Sequence, residues 1–150
     1  MANPLTLMLP LRADAEASAL LEAIHAGQDT LNRALSLVDT LHFARLLLLD
    51  RAAPDLRPGP TLSGNHVLAM LAEYDGELED CIRSLARELG PQLDSLLAFV
   101  DGGSRLVPAI ACISELADFV SQHDVSRGPA GLAHFEAYRA TAREIAAALP

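Results

Sequence analysis

An α+β fold is what this sequence predicts, on three observations. Leu5 to Leu11 carries leucine at every odd position, two later runs are apolar at both parities, and other apolar residues recur at the three-and-four spacing of helices. A chain of 150 residues with 51% hydrophobic content can bury one core. A single domain over 1–150 is therefore expected, its core at about 4–102 and a helical extension at about 108–149.

The elements follow in order. "LTLMLPL", Leu5 to Leu11, is an alternating strand, and Pro10 near its end suits an edge or an exit. Asp14 is placed to cap a helix with Ala17, Leu20, Leu21 and Ile24 inward, and Gly27 is placed to end it. Residues 28–39 read as a connector with at most a turn of helix. "TLHFARLLLLD", residues 40–50, is a strand apolar at both parities. Residues 51–64 hold three prolines and two glycines and form a loop. "NHVLAMLAEYDG" is a further strand, again apolar at both parities from Val67 to Ala72, with His66 exposed at its start.

Asp75 and Gly76 then turn and cap the clearest helix of the chain, in which Leu78, Cys81, Ile82, Leu85 and Leu89 share one face and Gly90–Pro91 is the stop. Residues 93–100 fit a helix or a fourth strand equally well. Pro108 opens a helix with Ile110, Ile113, Leu116 and Val120 inward, and "DVSRGPAG" breaks it. A last amphipathic helix carries Leu132, Phe135, Ala142, Ile145 and Leu149. With residues 93–100 as a strand, the order is the ferredoxin-like βαββαβ pattern with two C-terminal helices. Two strands apolar on both faces need cover on both faces. Either the terminal helices supply the second cover or another subunit does, and the latter arrangement, preferred here, is a dimeric α+β barrel.

Composition narrows the function. The formal charge is −9, with eleven arginines, no lysine and twenty acids. No basic patch is available to neutralise phosphates, which argues against nucleic acid and against an anionic membrane surface as partners. Cys81 and Cys112 make no metal or disulfide pattern. The apolar start lacks a basic region and is broken by Pro10 and Arg12, so it reads as neither signal peptide nor anchor, and no run reaches the roughly 18 apolar residues of a membrane span. A cytoplasmic location is the expectation.

"TLHFARLLLLD", the Pro/Gly loop and "HVLAMLAEYDGELEDCI" together resemble the ferredoxin-like dimeric α+β barrel proteins, especially a bacterial group with a His-Phe-Ala-Arg strand followed by a strand ending Tyr/Phe-Asp-Gly. "FVSQHDV" and the final helix extend the likeness over most of the chain. The resemblance implies a homodimer, in some cases near or fused to a peroxidase-like domain. The wider superfamily holds monooxygenases, polyketide cyclases, haem-degrading enzymes and dye-decolorising peroxidases, so it implies the scaffold more sharply than the reaction.

The candidate site residues are His42, Arg45, Glu73 and Tyr74. His42 and Arg45 differ in parity and point to opposite faces of their strand. If Asp50 lies near Asn65, His42 falls opposite Glu73, or opposite Tyr74 after a slip of one residue, and Arg45 falls opposite Met70. A carboxylate beside His42 would orient the imidazole for general-base chemistry. The competing reading is that His42 only satisfies a polar neighbour at the sheet end. A buried Arg45 would need a carboxylate or an anionic ligand. Asp75 reads as a cap rather than a catalyst. No metal-ligand spacing occurs, and "DGGS" at 101–104 reads as a turn. Haem is neither demanded nor excluded, with His42, His66 and His123 formally available as axial ligands, and cofactor-independent chemistry fits equally.

Two functions follow. One is binding, and oxidative or cyclising conversion, of a small apolar organic molecule in a dimeric-barrel pocket. The other is a non-catalytic dimerisation or accessory module for a partner enzyme.

Overall fold

A computed structural model describes residues 2–59, 64–126 and 140–148. Strands β1 (Ala2–Pro10), β2 (Leu41–Asp50) and β3 (His66–Asp75) form one antiparallel sheet in the order β1-β3-β2. Among the described residues there are four α-helices: α1 (Ala17–Leu35), α2 (Leu78–Leu97), α3 (Ile113–His123) and α4 (Ala142–Ala148). β1 and β2 both run antiparallel to β3, so they are parallel to each other, with α1 crossing between them and β3 filling the gap. That is a split βαβ unit.

Strand parity sorts the side chains into two faces. On one, the rows Leu5–Ala72–Ala44, Leu7–Met70–Leu46 and Leu9–Leu68–Leu48 run across β1, β3 and β2 in register. This face meets α1, α2 and α3 in one core that includes Leu20, Ile82, Leu85, Leu116 and Phe119. Complete burial of a leucine such as Leu20 contributes roughly 1.5–3 kcal/mol, which makes this layer the main source of stability. On the other face the rows are Pro4–Glu73–Phe43, Thr6–Leu71–Arg45 and Met8–Ala69–Leu47. Here Phe43 stays 49% exposed, and Met8, Leu47 and Leu71 are half-buried. The second face is thus mixed, its apolar side chains interleaved with Thr6, Glu73 and Arg45, and Ala69 on it is buried.

Both long helices overrun the stops expected of them. α1 passes Gly27 and reaches Leu35, so residues 28–35 are helix rather than connector. Leu31, Ala34 and Leu35 continue the stripe of Leu20 and Ile24 against the core, and their burial outweighs the cost of about 1 kcal/mol for an internal glycine. α2 likewise passes Gly90 and Pro91 to Leu97. An internal proline costs about 3 kcal/mol, but Leu93, Leu96 and Leu97 extend the buried face beyond it, and the Ser95 hydroxyl donates to the Pro91 carbonyl at 2.9 Å. Residues 93–97 are therefore helical and supply no fourth strand.

The outer edge of β1 is met instead by two single bridges. Leu11 faces Val100 and Leu7 faces Asp124. The Thr6 carbonyl accepts the Val125 amide at 2.9 Å and the Thr6 amide donates to Asp124 Oδ1 at 3.1 Å, so Thr6 turns its backbone away from β3. Pro4 and Pro10 share that parity. Neither removes a bond of the central ladder, which is why both are tolerated in the strand.

Other expectations shift at element ends. Asp14 pairs with Arg12 while Glu16 is the residue before α1, and Glu77 rather than Asp75 precedes α2. Gly76 does turn the chain, with φ of 81°. α3 starts at Ile113, and Ile110 lies in a short 3₁₀ turn, 53% exposed. α4 begins only at Ala142, where Thr141 and Glu144 form a reciprocal cap: the Glu144 carboxylate accepts the Thr141 amide at 2.8 Å, and the Glu144 amide donates to Thr141 Oγ1 at 3.2 Å. The expected helical residues Leu132 and Phe135 lie outside the described residues, as does Leu149.

Candidate functional site

The hairpin register is one residue from that expected, with Asp50 opposite His66. His66 is buried, at 4% exposure, because it opens the central strand between Asp50 of β2 and Leu11, whose amide bonds the His66 carbonyl at 3.0 Å. The same register places Arg45 opposite Leu71 rather than Met70.

A bulge decides the fate of His42. Leu41 pairs with Tyr74 and Phe43 with Glu73, so His42 is the extra residue and has no cross-strand partner. Its side chain turns to the end of the sheet, where Nε2 lies 3.1 Å from Asp75 Oδ2, both side chains being about five-sixths buried (15% and 16% exposed). The ring N–H is out of line for a directed hydrogen bond, so the pairing rests on proximity. Asp75 is fixed by its own amide, which donates to the Thr40 carbonyl at 2.8 Å. Its Oδ2 also accepts the amide of Ala142, the first residue of α4, at 2.9 Å.

Burial pushes the Asp75 carboxyl up, but the Ala142 amide and the His42 ring together outweigh it and hold the group below its ordinary value. The ionised carboxylate therefore clamps the start of α4, and Arg143 in the same turn pairs with Asp39. Beside this cluster the Cys81 thiol is pushed up by burial, with the Thr40 hydroxyl acting weakly the other way. A cleft of about 340 Å³ opens next to His42 between the end of α1, β2 and α4, bordered by Asn32, Leu35, Asp39, Phe43, Ala44 and Ala146.

The four expected site residues do not converge. His42 joins Asp75. Tyr74 is fully buried in the helix-side core, opposite Asn3 and Leu41. Arg45 and Glu73 stand on the open face, diagonal to one another, with Arg45 exposed. Among the described residues no three His, Cys, Asp or Glu side chains gather as a metal site. The three histidines considered as axial haem ligands sit on three different elements, β2, β3 and α3. His42 is turned to Asp75, His66 is buried in the sheet, and His123 stacks on Phe119 with Nδ1 2.8 Å from the Phe119 carbonyl oxygen.

A larger apolar concavity lies elsewhere. Between α1, α2 and the β2 flank is a cleft of about 380 Å³ whose floor is Leu46, Met70, Leu85, Leu89, Leu93 and Leu96. His25, Gln28, Asn32 and Arg45 are its polar lining. Asn32, Leu35 and Ala44 also border the His42 cleft, so the two concavities meet along the α1–β2 seam. Sequence reasoning missed this site because its walls are the two overrun segments, residues 28–35 of α1 and 93–96 of α2. The available signal was Ile24, Leu31 and Leu35 at i, i+7 and i+11.

Comparison with known protein families, with curated proteins and with solved structures finds no match to this chain. Among the described residues no helix is long and apolar enough to cross a membrane.

Proposed function

We propose that this chain is a ferredoxin-like, dimeric α+β barrel protein that binds a small apolar organic molecule in the α1–α2–β2 cleft. The observation that carries the reading is the division of that cleft into an apolar floor of six side chains and a handful of polar groups, the composition of a ligand pocket. The outer sheet face, where Phe43 is exposed and Leu47 and Leu71 are half-buried, supports pairing with a second copy. Oxidative or cyclising conversion enters only through the resemblance, since His42, Arg45, Glu73 and Tyr74 share no common point. Fluorescence titration with the neutral probe N-phenyl-1-naphthylamine tests the binding: saturable enhancement at one site per chain is expected, abolished by Leu93→Trp, which fills the cleft. Enhancement unchanged in that variant defeats the assignment.

The second reading, a dimerisation or accessory module with no ligand, is favoured by the same open face. It predicts a dimer that takes up no probe.

A further inference from the structure

We propose that a second copy of this chain pairs antiparallel along the free edge of β2 and closes the mouth of the α1–α2–β2 cleft; the closure rests on the binding reading above, the pairing does not. The ladder identifies the groups that are free. Thr6 turns its backbone away from β3, so its partner Leu71 bonds β2 instead, and Arg45, opposite Leu71, has its backbone directed inward. Hydrogen-bonding direction alternates along a strand, so the amides and carbonyls of Ala44, Leu46 and Leu48 point out of the sheet. Among the described residues no backbone group meets them. The loop after β2 agrees with this parity: the outward amide of Asp50 donates to the Leu56 carbonyl at 3.0 Å, and the inward amide of Arg51 to the Asn65 carbonyl at 3.1 Å. The free stretch therefore runs from the bulge at His42 to Asp50.

The composition of that stretch selects the occupant. Edge strands that stay unpaired are normally guarded by proline, lysine or a covering segment. β1 has two prolines and is covered, whereas residues 43–49 hold six apolar side chains and one arginine. No acid stands among them, although acids outnumber basic residues by twenty to eleven in the chain. Two copies can meet there without opposing acidic groups. A two-fold axis at Leu46 sets Arg45 of each copy opposite Leu47 of the other, so the arginines are not opposed either. One step then satisfies both edges.

The cleft opens at the same edge. It touches Ala44, Arg45 and Leu46, three consecutive residues. Successive side chains alternate faces, and the register puts the Arg45 side chain on the outer one, so the cleft reaches Arg45 around the edge of the strand. Residues directly opposite in an antiparallel pair share a face. Ala44, Leu46 and Leu48 of the second copy thus continue the apolar row on the helix side and supply the wall that the single chain lacks.

Amide hydrogen exchange of the full chain, read by NMR over a dilution series, tests the pairing. The amides of Ala44, Leu46 and Leu48 are expected to exchange roughly tenfold more slowly in the associated form, the scale of one hydrogen bond, while those of Arg45, Leu47 and Leu49, held by β3, stay unchanged. Association without that alternation, or a chain that stays monomeric throughout, overturns the pairing. Titration with N-phenyl-1-naphthylamine over the same series tests the closure, with roughly tenfold tighter binding expected of the associated form. An affinity that does not change with association overturns the closure and leaves cleft binding intact. A probe that binds neither form overturns the cleft reading and the closure with it, and the exchange pattern then decides the pairing by itself.

Discussion

His42 and Asp75 close on one another at the end of the sheet, Nε2 to Oδ2 at 3.1 Å, and the same carboxylate oxygen takes the first amide of α4. The bulge between Leu41 and Phe43 is the cause, since it frees His42 from the ladder.

Removing the carboxylate should therefore release α4. Asp75→Ala is expected to raise hydrogen exchange at Ala142 and through α4, with a local cost of about 1.5–3 kcal/mol for a charge-assisted bond. The pH dependence has a definite sign. The folded carboxyl titrates below its ordinary value of 3.8, so its contribution is complete above that value and is lost as the pH falls through the lowered one. Exchange at Ala142 that is the same in both proteins would show that the clamp contributes nothing.

Tyr74 should behave as a core residue. Tyr74→Ala is expected to destabilise the chain by about 3–5 kcal/mol, read from chemical denaturation, because its ring is fully buried in the helix-side layer. A variant of wild-type stability would place the ring elsewhere.

Two glycines should respond in opposite directions. A Cβ on Gly103 would meet the Leu97 carbonyl oxygen at 2.1 Å, so Gly103→Ala is expected to cost about 1–3 kcal/mol. Gly90 lies inside α2 with nothing within 4 Å of such a carbon, and Gly90→Ala should stabilise by about 0.5–1 kcal/mol. Urea midpoints that move the same way in both would contradict the packing described.

The open face is tested by charge. Leu47→Glu changes a half-buried position on that face and should weaken self-association by about two orders of magnitude, measured by sedimentation equilibrium, without unfolding the monomer. Identical sedimentation of variant and wild type would remove the face from any dimer interface.

The three strands were legible because alternation and both-parity runs are direct consequences of the pleat, and the open face followed from the same runs. The helix ends were not. Gly27, Gly90 and Pro91 are local penalties of about 1–3 kcal/mol, and a sequence window does not show that Leu31, Leu93 and Leu97 have a core to enter beyond them. That misreading concealed the cleft as well. The partner of His42 was hidden for another reason, since a single bulged residue changes which side chains meet. The α4 cap was readable: Thr141 and Glu144 have the spacing of a capping box, within what reads as one continuous amphipathic stretch.

The two borders of the sheet are not equivalent. β1 has its outer backbone engaged by Val100 and by Asp124–Val125, while β2 stands at the other border with no strand beyond it among the described residues. A sheet with one border sealed can be lengthened from one side only. If two copies join there about a two-fold axis, each consumes the other's free border and six strands result with none left to recruit a third. The pairing of β1 would thus set a ceiling on growth, favouring a finite assembly over a fibre.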